Sequence, residues 1–187
     1  MTVAQEAFFA YVILSRLAYV LFVGWTLRRQ ERDQFYTRRF GLVDGFRRFR
    51  LRASLVMNND ALAFIVLCLV TRGGLTLPVP PAVSIALGGV LVLLGSGTKL
   101  WAARTLGSQA YYWHNFFDPA AAQGPVSSGP YRFASNPMYT IGYLQTYGLA
   151  LMLGSLPGLV AAAFLHVAIL TFYFLIEKPH FERLHAR

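Results

Sequence analysis

Two sets of side chains near the C-terminus have the types and spacing for chemistry. Asn136, Tyr139, Tyr143 and Thr146 or Tyr147 fall at helical spacing, and His166, Leu170, Tyr173, Glu177 and His180 recur at i+4, i+7, i+11 and i+14. Each set occupies one face of a helix. Both lie in apolar surroundings, where a polar group is costly and needs a reason. Aromatic faces suit a cation, a carboxylate suits the ammonium of a cofactor or substrate, and Glu177 or His180 has the chemistry to take a proton. The plainer alternatives are an aromatic belt with ordinary helix–helix hydrogen bonds for the stripes, and a solvated helix-end residue for Glu177. An acid in the last turn of a helix opposes the macrodipole, which speaks for a binding role.

These stripes must be positioned by membrane helices. Of 187 residues, 56% are apolar and 13% charged, against about 25% charged in soluble domains. The apolar residues collect in runs near the ~20 that a helix needs to cross a bilayer. The sequence predicts an all-α, polytopic membrane protein of one domain, residues 1–187, with five spans at about 6–26, 53–71, 78–97, 138–155 and 157–176. Three residues, Ser155-Leu156-Pro157, join the last two spans, which must form a tight antiparallel hairpin. Its ends, with Tyr131–Tyr139 on one side and Tyr173–His180 on the other, then meet at one membrane surface. The third helix has no breaker between Lys99 and Gly107 and is expected to run past the membrane.

Charge gives an orientation. Nine of the seventeen basic residues lie between Arg28 and Arg52, and Lys99, Arg104, Arg132, Lys178, Arg183 and Arg187 mark the third connection and the tail. The positive-inside rule makes those segments cytoplasmic, with the N-terminus outside and the C-terminus inside. The net charge of +9 is therefore read as orientation and contact with anionic lipid headgroups at the first connection, with no nucleic-acid partner. The basic cluster follows the first apolar run, unlike a cleavable signal peptide. The lone Cys68 reads as a packing residue.

Arg16 and Asp60 have depths compatible with an ion pair between neighbouring spans, a headgroup contact for Asp60 being the alternative. His166 reads as a hydrogen-bonded packing residue. The aromatic connection with Tyr111, Tyr112, Trp113, Phe116, Phe117 and Tyr131 reads as an interfacial lid. His114 and Asp118 within it are too few for a metal site. Gly88, Gly89, Gly95 and Gly97 are expected to allow close helix packing. A P-loop, a nucleophile elbow and a Rossmann glycine fingerprint are absent from the sequence.

The run Gly129-Pro-Tyr-Arg-Phe-Ala-Ser-Asn-Pro-Met-Tyr139, followed by a span, a tight turn, a span and Glu177-Lys-Pro-His-Phe181, resembles the isoprenylcysteine carboxyl methyltransferase and phospholipid methyltransferase superfamily. Trp101-Ala-Ala-Arg-Thr-Leu-Gly107 also fits, so the resemblance covers roughly residues 99–187. Asn136 stands where isoprenylcysteine methyltransferases typically carry histidine, and Asn-Pro-Met-Tyr is closer to phosphatidylethanolamine N-methyltransferases. Lys178 stands where those enzymes have a second glutamate.

The resemblance implies an S-adenosylmethionine-dependent enzyme that methylates a membrane lipid, with phosphatidylethanolamine or its methylated derivatives as the first choice. It implies a cofactor site from Gly107, Tyr131, Asn136, Pro137, Tyr139 and Glu177; the reading of the residues adds Arg132 and Tyr173 to that site, makes Glu177, His180 and Tyr139 the catalytic candidates and expects no metal. The lipid would enter from the bilayer, and the site would face the cytoplasm, at a bacterial inner membrane or the endoplasmic reticulum. Alternatives are methylation of a prenylated or small hydrophobic carboxylate or thiol, an NADPH-dependent sterol-reductase-like protein, and a non-catalytic membrane scaffold.

Overall fold

The computed structural model describes residues 1–121 and 126–185, and its regular secondary structure there is helical throughout. Arg187 of the basic tail and residues 122–125 of the aromatic connection lie outside the described residues.

Helix α1, Val3–Asp33, starts at a capping box in which Thr2 and Gln5 satisfy each other's backbone N–H groups. It ends where Gln34 turns left-handed at φ 53°. The short α2, Phe35–Phe40, is stopped by Gly41 at φ 75°, a conformation that favours glycine. Helix α3, Leu42–Val70, comes next. Helix α4, Pro81–Tyr111, opens on a proline at its first turn and runs well past the expected span, with Gly107 at φ 78° marking a kink. Helix α5 is Leu144–Met152 and α6 is Leu156–Phe172. A π-helical turn, Tyr173–Glu177, leads from α6 into α7, Lys178–His185.

Among the described residues four helices are long and apolar enough to cross a membrane: Val3–Asp33, Leu42–Val70, Pro81–Phe116 and Leu156–Leu184. They carry large apolar side chains outward, such as Leu93 at 74% and Leu21 at 65% exposure, as hydrocarbon contact demands and water does not tolerate in bulk. The fourth expected span differs. Only Leu144–Met152 is α-helix, preceded by a 3-10 turn at Ile141–Tyr143. Nine residues rise only about 13 Å against about 30 Å of hydrocarbon. The cause is local. The Asn136 side chain accepts the Tyr139 N–H at 3.2 Å, and Gly142 N–H reaches back to Pro137 O at 2.8 Å, so the chain turns before it can wind as an α-helix.

Helix α5 is wedged against α4, and α1 packs on both α3 and α6. The α4–α5 approach depends on missing side chains. A Cβ on Gly88 would lie 2.6 Å from Gly148 O, and one on Gly95 would collide with the backbone nitrogen of Gln145. Gly89 and Gly97 do not share this role: a Cβ on either meets nothing within 4 Å, because they point away from α5. The α5–α6 hairpin has the expected tight turn, with Ser155 Oγ accepting the Gly158 N–H at 2.8 Å and sharing a 2.6 Å bond with Thr71 Oγ1. Cys68 is fully buried beside this turn, as a packing residue.

Candidate functional site

The hairpin brings the two stripes together. Tyr139 Oη donates to Glu177 Oε1 at 2.6 Å. Trp113 Nε1, from the aromatic connection, donates to the same oxygen at 2.6 Å. Glu177 is 7% exposed at the end of an apolar helix, so its charge is removed from bulk water and held by two donors. Among the described residues Oε2 has no partner, which leaves one carboxylate oxygen for an incoming N–H. The Tyr173 ring stands 6.1 Å from that of Tyr139, edge-on. Burial, and then the neighbouring Glu177 carboxylate, raise the Tyr131 phenol above its ordinary pKa, so it stays a neutral hydrogen-bond donor.

Trp113, expected from the sequence only as part of a lid, is the residue whose role changes most. It is 4% exposed and adopts the left-handed backbone region at φ 57°. Such strain in a bulky residue marks a position that its surroundings over-determine. A buried indole N–H needs an acceptor, but nothing local in the sequence names Glu177 as that acceptor, 64 residues away.

The other candidates divide. Asn136 is engaged as a turn cap through Oδ1, and Pro137 is fully buried beneath it. Arg132 is exposed. Gly107 lines a separate, shallow groove with Arg104, Ser108 and Tyr111, and not the surroundings of Glu177. His180 turns the other way. Its Nδ1 pairs with Glu31 Oε1 at 2.8 Å, Arg183 joins the same carboxylate, and its ring stacks on Phe116 at 3.6 Å. The π turn explains why the single stripe of the sequence splits here: one extra residue per turn rotates α7 away from the face of His166 and Tyr173. His166 is the hydrogen-bonded packing residue expected, bridging Tyr139 O at 2.8 Å and Tyr147 Oη at 3.2 Å and stacking on Tyr143.

Arg16 and Asp60 form the expected ion pair, Nη2 to Oδ2 at 2.7 Å, with Arg16 Nη1 donating to Tyr143 Oη at 3.0 Å. They line a cavity of about 410 Å³ together with Trp113 and Tyr139. The two donors to Glu177 are therefore also a boundary of this cavity. Among the described residues no cluster of three or more metal-ligating side chains occurs.

Comparison with known proteins identifies a family. The phospholipid methyltransferase family model matches residues 83–187. A phosphatidylethanolamine N-methyltransferase of Schizosaccharomyces pombe is 32% identical over 142 residues, 72% of this chain and 15% of the relative. Enzymes of the same name from Talaromyces marneffei and Saccharomyces cerevisiae are each 36% identical, over 100 and 97 residues, covering 54% and 52% of this chain and 10% and 11% of the relatives. The chain thus spans a small part of the length of the relatives it matches. No solved structure matches it.

Proposed function

The chain belongs to the phospholipid methyltransferase family, and from that premise we propose that it transfers a methyl group from S-adenosylmethionine to the amino group of a membrane phospholipid, phosphatidylethanolamine or its partly methylated derivatives. The observation that carries this reading is the buried Glu177 carboxylate, one oxygen saturated by Tyr139 and Trp113 and the other without a partner among the described residues. These residues fit the cofactor: a carboxylate with an open acceptor for its amino group, and the rings of Tyr139, Tyr173 and Trp113 for its positive charge. The cofactor supplies an electrophilic methyl on a sulfonium. The protein aligns the acceptor with it and keeps water away, which is where catalysis of an in-line displacement lies.

Within that frame Glu177 binds the cofactor, Tyr139 and Trp113 fix the carboxylate and form the partition facing the acceptor, and Tyr131 closes the cofactor side. Asn136 and Pro137 position Tyr139 by holding its turn. His180 is a positioning residue, tying α7 to α1 through Glu31. Arg132 contributes at the mouth of the site, whereas Gly107 stays with its separate groove.

The site is assigned to the cytoplasmic side of an integral membrane protein crossed five times, the fourth crossing being α5 with its preceding turns. Two relationships support this. Glu31 and Arg28 at the end of α1 contact His180, Arg183 and the Leu175 carbonyl, which puts the arginine-rich connection beside Glu177. At the opposite end, Gly73 and Leu75 bond to Leu153 and Gly154 at the α5–α6 turn. The exposed arginines of that connection, such as Arg38, Arg39, Arg47 and Arg48, are suited to anionic headgroups.

Incubation of the purified protein with methyl-labelled S-adenosylmethionine and a total lipid extract tests the reading. Label is expected in methylated phosphatidylethanolamine species, and Glu177→Gln should abolish it. Thermal stabilisation by NADPH and none by S-adenosylhomocysteine would overturn it in favour of a reductase.

A further inference from the structure

The cavity of about 410 Å³ lies between α3 and α4, which are consecutive in the chain yet pack mainly on α1 and α5. That volume is in the range of small-ligand sites. One part of its wall is apolar, with Phe64, Ile65, Val92 and Leu149. The other part carries more charge than packing requires. Arg16 and Asp60 neutralise each other at 2.7 Å, and Ser96 donates to Gln145 at 3.0 Å. Lys99 is left over. Its ammonium has no hydrogen bond or ion pair among the described residues and rests 5.0 Å from the centre of the Tyr143 ring. A second group is also unmatched. Asp60 is 3% exposed, and its Oδ1 is buried with no hydrogen-bond partner among the described residues.

Intramembrane charges normally find partners, and those that do not mark ligand sites. A buried acceptor without a donor carries its full desolvation cost. The missing ligand must therefore bring an anion for Lys99 and an N–H for Asp60 Oδ1, and its remainder must suit an apolar wall. A phospholipid whose headgroup carries both a phosphodiester and an amine supplies all three.

We propose that this cavity is a headgroup subsite in which Lys99 binds the phosphodiester of a zwitterionic phospholipid and Asp60 Oδ1 accepts a hydrogen bond from its amine. This rests on the lipid N-methyltransferase reading and deepens it. Trp113 and Tyr139 line the cavity and both hold Glu177, so the cavity adjoins the residues that anchor the cofactor and the amine is presented directly toward them. Arg16 is the positioning residue, fixing Asp60 through Oδ2 so that Oδ1 is the oxygen offered. The subsite also sorts substrate from product. An amine with at least one N–H satisfies Asp60, whereas a quaternary ammonium has none to give and loses that bond.

Native mass spectrometry of the purified protein in neutral detergent, without cofactor, reads the retained lipid directly. Wild type is expected to retain short-chain phosphatidylethanolamine best, phosphatidylcholine and phosphatidylglycerol less, and diacylglycerol hardly at all. Lys99→Met should weaken all three phospholipids by roughly tenfold, as loss of a charge-assisted hydrogen bond implies, while Lys99→Arg keeps them within about threefold. Asp60→Asn should erase the preference for phosphatidylethanolamine over phosphatidylcholine. Because Asp60 also holds Arg16, the Lys99 pair is the decisive one: among the described residues Lys99 has no hydrogen bond or ion pair to lose, and Lys99→Arg keeps a cation over the Tyr143 ring. Lys99→Met that retains phospholipid as wild type does overturns the proposal. If methyl transfer to lipid proceeds with unchanged KM in that variant, the subsite fails and the enzyme reading stands. If wild type shows the predicted lipid pattern but transfers no methyl group, the subsite stands and the enzyme reading fails.

Discussion

The phenol of Tyr139 and the carboxylate of Glu177, 38 residues apart in the chain, meet at 2.6 Å. Trp113 donates to the same oxygen at the same distance. A hydrogen bond to a charged group contributes about 1.5–3 kcal/mol, so the carboxylate is fixed in direction as well as in place. Glu177→Gln is expected to weaken S-adenosylhomocysteine binding by at least about tenfold. Trp113→Phe and Tyr139→Phe should each weaken it less, and the double variant by less than the product of the two, because both act on one oxygen. Isothermal titration calorimetry of the four variants checks this; an undiminished affinity in Glu177→Gln removes that residue from the cofactor site.

The Arg16–Asp60 pair is buried on both sides. Removing one partner leaves an uncompensated charge, at a cost of roughly 3–5 kcal/mol, whereas replacing both with apolar groups costs far less. Arg16→Met should therefore melt at a much lower temperature in detergent than the double variant Arg16→Met/Asp60→Leu. Equal melting of the two would show that the pair is not a coupled unit.

Helix α4 supplies an internal control for packing. Gly95→Ala and Gly148→Ala place a Cβ against backbone of the facing helix, and overpacking of this kind costs about 1–3 kcal/mol. Gly89→Ala meets nothing within 4 Å and should melt as wild type or slightly higher, because alanine is the better helix former. Thermal denaturation monitored by circular dichroism distinguishes them.

His180 offers a test of role. It is held by Glu31 and stacked on Phe116, so His180→Ala should lower stability by about 1–2 kcal/mol while cofactor affinity stays within about twofold. Turnover that vanishes while stability and cofactor affinity are both retained would instead make His180 a proton carrier.

Much of the architecture was legible in the sequence because membranes constrain it strongly. Apolar run length gave the helices, and the cost of intramembrane charge gave the Arg16–Asp60 pair and the hydrogen bonding of His166. The three-residue turn at Ser155 was enough to bring Tyr139 to Glu177. The features that stayed hidden depend on backbone geometry that no periodicity encodes. The left-handed Trp113 aims an indole at a residue 64 positions away. The turns after Pro137 replace half of an expected span with irregular backbone. Gly89 and Gly97 have the composition of a packing motif but the wrong phase, since residues one or two positions from a contact face point elsewhere.

The π turn at Tyr173–Glu177 makes chain length itself a determinant of chemistry in this protein. A helix advances about 100° per residue, so deleting any one amino acid from that five-residue stretch would swing everything beyond it by more than a quarter revolution. The acid could then no longer meet Trp113 while the histidine three places on still reached α1. Two anchors facing different directions along a single rod are reconciled by one surplus residue.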